Sequence, residues 1–167
     1  MDYVVPDTNP IYLVGCVLQS PMTVLDTSML LGHALFAGLW VGGTLLMAGY
    51  VIPRARDGRL ARDAVERSAR RFTQFSLAGI VITVLTGGYL TETRYSVDSL
   101  LSTGRGHLVL AMVGLWLVLA GLLHFGTHAL TEGMESDGPR AAATASQNWF
   151  RASGLVGILL LVVAGRL

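Results

Sequence analysis

The chain has 167 residues, a net charge of +1, 52% hydrophobic residues and 14% charged residues, where an average chain carries roughly a quarter charged residues. That balance excludes an ordinary soluble globule and argues against a nucleic-acid-binding surface. The twelve basic residues are all arginine, which excludes lysine chemistry such as Schiff-base formation, and the one cysteine, Cys16, can neither close an internal disulfide nor build a thiolate cluster alone.

From the N-terminus, Asp2 and Asp7 precede the apolar stretch 11–18 with no positive charge before it. The basic start of a signal peptide is missing, so the N-terminus is expected to remain. Residues 10–25 are apolar but broken by Gln19, Ser20 and Pro21, and predict a short interfacial helix. A bilayer core about 30 Å thick needs about 20 apolar residues at 1.5 Å each. Four runs meet that length: about 27–52, closing at Pro53; about 72–91; about 106–130, beginning just past Arg105; and about 149–165. Backbone in lipid must pair within its own segment. The runs therefore predict an all-α integral membrane four-helix bundle, one transmembrane domain over residues 1–167. Glycines mark where its helices are expected to touch: Gly32, Gly38, Gly42 and Gly43, then Gly87 and Gly88, Gly114 and Gly121, and Gly154, Gly157 and Gly165.

Arginines set the expected orientation. Seven lie in the loop 53–71 (Arg54, Arg56, Arg59, Arg62, Arg67, Arg70 and Arg71), and none lies in the 26 residues before the first span. Cytoplasmic flanks are enriched in basic residues, so this loop is expected inside and both chain ends outside, in a multi-pass protein of the cell membrane. Alternation of the arginines with Asp57, Asp63 and Glu66 reads as a solvated juxtamembrane segment on anionic headgroups. The polar stretch 132–147 is expected inside as well, with Arg151 snorkelling to that interface.

All four histidines, His33, His107, His124 and His128, fall in or at the end of a span. Ionisable residues are costly there and point to a cofactor, an ion path or a relay. Counting at 1.5 Å per residue puts His33 and His107 within about 8 Å in depth near the outer side, and His124 and His128 about 25–32 Å deeper than His107. Met29 lies four residues before His33 and shares its face. Thioether with imidazole suits copper, so His33, His107 and Met29 form the candidate metal site, to which Cys16 and Met22 could add. A second site at depth would draw on Met47, Met112, His124 and His128. The alternative cofactor is a b-type haem with His33 and His107 as axial ligands. His107, Gly114, Gly121 and His128 recur every seven residues, a stripe able to accept a planar ring or a neighbouring helix. In that reading His124 and His128 border a second, inner level, for which Met47 or Tyr50 would have to supply the missing ligand. No residue reads as catalytic. The expected partners are the bilayer, copper or haem, and a membrane-complex subunit or second copy of the chain.

Certain stretches resemble a known family. His33, then Trp40 seven residues on, then Val41, Gly42 and Gly43 are similar to the opening helix of the copper resistance protein D (CopD) family. The stretch Ala69, Arg70, Arg71, Phe72 through Ser76, Leu77, Ala78 to Leu85, Thr86, Gly87 resembles its entry to a second helix and Leu-Thr-Gly exit. Ser99 to Gly106 resembles its linker into the third. The resemblance covers about 31–123 and implies copper handling at or across the membrane. His107 and Met112 stand where that family often has basic residues, which shifts those places from charge toward ligation. The His-to-Trp spacing is also similar to the HemJ-type protoporphyrinogen oxidases, which bind haem, although their lysine is missing because this chain has none.

Overall fold

The computed structural model describes residues 23–167. Cys16, Met22 and most of the expected interfacial helix fall outside them. Helix α1, Val24–Leu46, starts from a capping box: the Asp26 N–H donates to the Thr23 hydroxyl (3.1 Å) and the Thr23 N–H to the Asp26 carboxylate (3.0 Å). Pro53 does not close this helix. Residues Met47–Val51 widen into a π turn in which the Ile52 N–H reaches the Met47 carbonyl, and the helix resumes as α2, Ile52–Arg56. A proline ring normally collides with the carbonyl four residues back. The wider turn gives it room.

The chain continues as α3, Arg62–Arg94; α4, Val97–Ser102; α5, Gly104–Ser136; and α6, Pro139–Ala164. Among the described residues, four helical stretches are long and apolar enough to cross a membrane: Val24–Arg56, Arg62–Arg94, Gly104–Ser136 and Pro139–Ala164. The protein is thus an all-α membrane bundle. Its apolar runs are the middles of longer helices, for α3 begins at Arg62 rather than 72, and α6 at Pro139 rather than 149. Much of the arginine-rich segment 53–71 and of the polar stretch 132–147 is consequently helix rather than loop. Ile52, Ala55, Val65, Ala69, Ala142 and Ala143 are at most 2% exposed there. Small buried residues scattered among arginines leave the mean hydropathy low, which hides a core that only packing reveals.

Helix α1 packs against α3 and α6, and α5 packs against α6 most extensively and against α3. This places α1 and α5 on a diagonal of the bundle. They meet through Trp40 and Trp116, edge to face with centroids 6.3 Å apart. Phe72 of α3 and Phe150 of α6 meet across the other diagonal at 6.1 Å.

The expected glycine contacts are corrected in part. Gly43, Gly87, Gly154 and Gly157 do lie against a neighbouring helix, whereas a Cβ on Gly32, Gly38, Gly42, Gly88, Gly114 or Gly121 would meet nothing within 4 Å, and at Gly165 it would meet only Leu161 and Val162. Between two of the transmembrane helices the tightest approach falls at Gly133, where a Cβ would stand 2.8 Å from the Ala142 Cα. Between α2 and α3, Gly58 takes φ +71° and its α-hydrogen face is covered by the Arg140 guanidinium. A left-handed conformation costs an L residue roughly 1–2 kcal/mol. Gly58→Ala is therefore expected to lower the thermal midpoint of the detergent-solubilised protein, with Arg140→Ala restoring only the part due to collision; an unchanged midpoint would contradict the assignment.

Candidate metal centre

His33 is half-buried on α1 and turned toward α3, where its Nδ1 lies 2.9 Å from the Thr86 hydroxyl oxygen. Thr86 has one hydroxyl proton, which it donates to the Ile82 carbonyl at 2.7 Å. Nδ1 of His33 is therefore the donor to Thr86, and Nε2 keeps its lone pair. Gly87 makes the seat for this ring, since a Cβ there would stand 3.0 Å from His33 Cε1. Met29, partly buried, lies one turn nearer the helix start on the same face. A turn further, the Tyr89 hydroxyl donates to the Asp26 carboxylate at 3.0 Å and ties the ends of α1 and α3 together.

Below His33 the polar seam continues. Thr83 donates to the Gly79 carbonyl (2.7 Å) and accepts from Trp116 Nε1 (3.2 Å), so α3 and α5 are joined through one hydroxyl. Trp40 packs on Gly79, and its Nε1, like the Ser76 hydroxyl, is buried without a hydrogen-bond partner among the described residues. Thr83 and Trp116 carry no motif and escaped the sequence reading. Their only signal was polar or amphipathic chemistry inside an apolar run.

His107 is exposed at the same end of the bundle as His33. A carbonyl can only accept, so the 2.8 Å contact between its Nε2 and the Leu101 carbonyl puts the proton on Nε2 and leaves Nδ1 open. Gly106 allows this, because a Cβ there would run into the backbone of Ser99 and Leu100 in α4. No hydrogen bond or ring contact joins His107 to His33 among the described residues.

His124 and His128 are brought together on the exposed face of α5, ring centroids 6.2 Å apart, toward the arginine-rich end. His128 Nδ1 lies 3.1 Å from the Glu132 carboxylate. Of the other residues weighed for depth, Met47 is buried at 3% exposure, Met112 is partly buried, and Tyr50 stacks under the Arg54 guanidinium at 3.7 Å. No group of three or more His, Cys, Asp or Glu able to hold a metal ion occurs among the described residues. Any site they form must rest on one or two imidazoles with a thioether or solvent.

No curated protein and no solved structure matches the chain. A family does: residues 66–167 match the family described as copper resistance protein D. The match takes in α3 to α6 and leaves out α1, so the part of the resemblance resting on His33 to Gly43 lies beyond it. It adds α6, which the sequence resemblance had not reached. With more than half of the chain matched and four helices long enough to cross a bilayer, this multi-pass membrane protein belongs to the copper resistance protein D family.

Proposed function

We propose that the chain accepts copper from the outer side of the membrane at His33, with Met29 as a second ligand and His107 as a further imidazole at the same level. The observation that carries this reading is the state of the His33 ring. Imidazoles that bind metal characteristically give their other N–H to a fixed acceptor, which sets tautomer and orientation. Thr86 takes that role here, and Gly87 holds the ring against α3. Nε2 is left with its lone pair and Met29 supplies the soft donor that favours Cu(I). The orientation is supported by seven arginines between residues 53 and 71 and by the helical extensions at that end, which suit the cytoplasmic interface. His107 would engage through Nδ1, leaving its bond to Leu101 intact.

The test is Cu(I) affinity of the purified full chain, measured by competition with a chromogenic chelator, for wild type and Thr86→Val. Loss of an acceptor behind a ligating histidine typically weakens binding ten- to hundredfold, and that loss is the expected result. Unchanged affinity in Thr86→Val would overturn the reading. A Soret band in the same sample, lost in His33→Ala, would replace copper by haem.

A further inference from the structure

We propose that His124 and His128 of α5 hold one Cu(I) ion between their Nε2 atoms at the arginine-rich end of the bundle, with Glu132 as the positioning residue. The pair stands four residues apart, the spacing that sets two imidazoles on one helix face for a shared metal. His128 gives its Nδ1 to the Glu132 carboxylate at 3.1 Å. This is the carboxylate–histidine arrangement that fixes a ligand's tautomer and ring orientation. Nε2 of His128 is thereby the nitrogen left for a metal. His124 has no hydrogen bond to either ring nitrogen among the described residues, and its ring stands beside those of Phe125 and His128, with centroids 5.6 Å and 6.2 Å away.

The size of the ligand set selects the metal. Imidazole serves copper in either oxidation state, and two nitrogens satisfy Cu(I), whereas Zn²⁺ demands a tetrahedral set with two or more further ligands. No third His, Cys, Asp or Glu completes such a set among the described residues.

Depth adds a second argument. His124 is 17 residues beyond His107 on one continuous helix, about 25 Å along its axis. Beside it Phe125 and Trp149 pack at 5.3 Å and are both exposed, as aromatic side chains at a membrane interface are. The pair is thus separate from His33 and would stand where copper leaves the bundle core; that placement on a copper route, though not the binding itself, rests on the function proposed above.

The experiment uses the full chain in detergent with the outer ligand removed. His33→Ala is compared with His33→Ala/His128→Ala and His33→Ala/Glu132→Gln by Cu(I) competition, with Zn²⁺ as the control ion and circular dichroism confirming helix content. Expected are one Cu(I) per chain lost on adding His128→Ala, and a ten- to hundredfold weaker affinity with Glu132→Gln. Identical Cu(I) stoichiometry and affinity with and without His128→Ala would overturn the site. Zn²⁺ binding as tightly as Cu(I) would overturn the choice of metal, and an unchanged affinity in Glu132→Gln the role given to Glu132. Because His33 is absent from every arm, these outcomes are independent of the Thr86→Val result.

Discussion

His33→Ala is expected to abolish copper binding between α1 and α3, a larger loss than the ten- to hundredfold attached to Thr86, because it removes a ligand rather than the group behind one. The substitution leaves the helix end intact, since Thr23–Asp26 capping and the Tyr89–Asp26 bond do not involve the imidazole. Copper per chain should fall by one and cellular copper tolerance or content should change, with the visible spectrum unaltered. Met29→Leu should weaken Cu(I) binding less, because it keeps the imidazole and conserves side-chain volume. Retention of full copper by His33→Ala would move the site elsewhere on the chain.

Gly133→Ala is expected to be the most damaging single methyl addition where two of the transmembrane helices meet. The new Cβ would stand 2.8 Å from Ala142 Cα and 3.0 Å from its Cβ. These are backbone and a side chain with no rotamer to change, so α5 and α6 must separate along the most extensive helix pair of the bundle. Overpacking of this kind costs typically about 1–3 kcal/mol. Gly114→Ala on the same helix meets nothing within 4 Å, and trading glycine for alanine in a helix gains roughly 0.5–1 kcal/mol. Thermal unfolding in one detergent should therefore shift down for the first variant and stay level or rise for the second. Equal shifts would show that the α5–α6 approach is looser than the structure has it.

The same pair of glycines shows where reading from sequence stops. Hydrophobic length is a property of the chain alone, because lipid forbids unpaired backbone whatever the neighbours are. The four spans and the all-α class were therefore legible, as was the family, through local motifs such as Ala69 to Gly87. Which glycines touch was not. A helix has a full circle of faces, and only the packed bundle distinguishes Gly133, pressed on Ala142, from Gly114, facing open space. Pro53 was misread for a related reason: its missing N–H is a local fact, but the π turn over Met47–Val51 that carries the helix past it depends on what the continuation buries. Ile52 and Ala55, both fully buried, supply that gain.

The histidines divide in the same way. Their confinement to the spans, and the spacings that put Met29 with His33 and His124 with His128, are fixed by helical periodicity and needed no structure. The state of each ring is a tertiary property. Thr86 and Gly87 come to His33 from 53 residues or more along the chain, and Leu101 comes to His107 from a separate short helix. The hydrogen bond made by one ring nitrogen fixes which nitrogen keeps its lone pair; the partners that do so belong to other elements for His33 and His107 and, for His128, to a side chain of its own helix. The sequence by itself determined the membrane class and which residues are candidate ligands; the packing of α3 and α4 against α1 and α5 decided which ring nitrogen of His33 and of His107 carries the proton, because the partners that fix it lie on other helices.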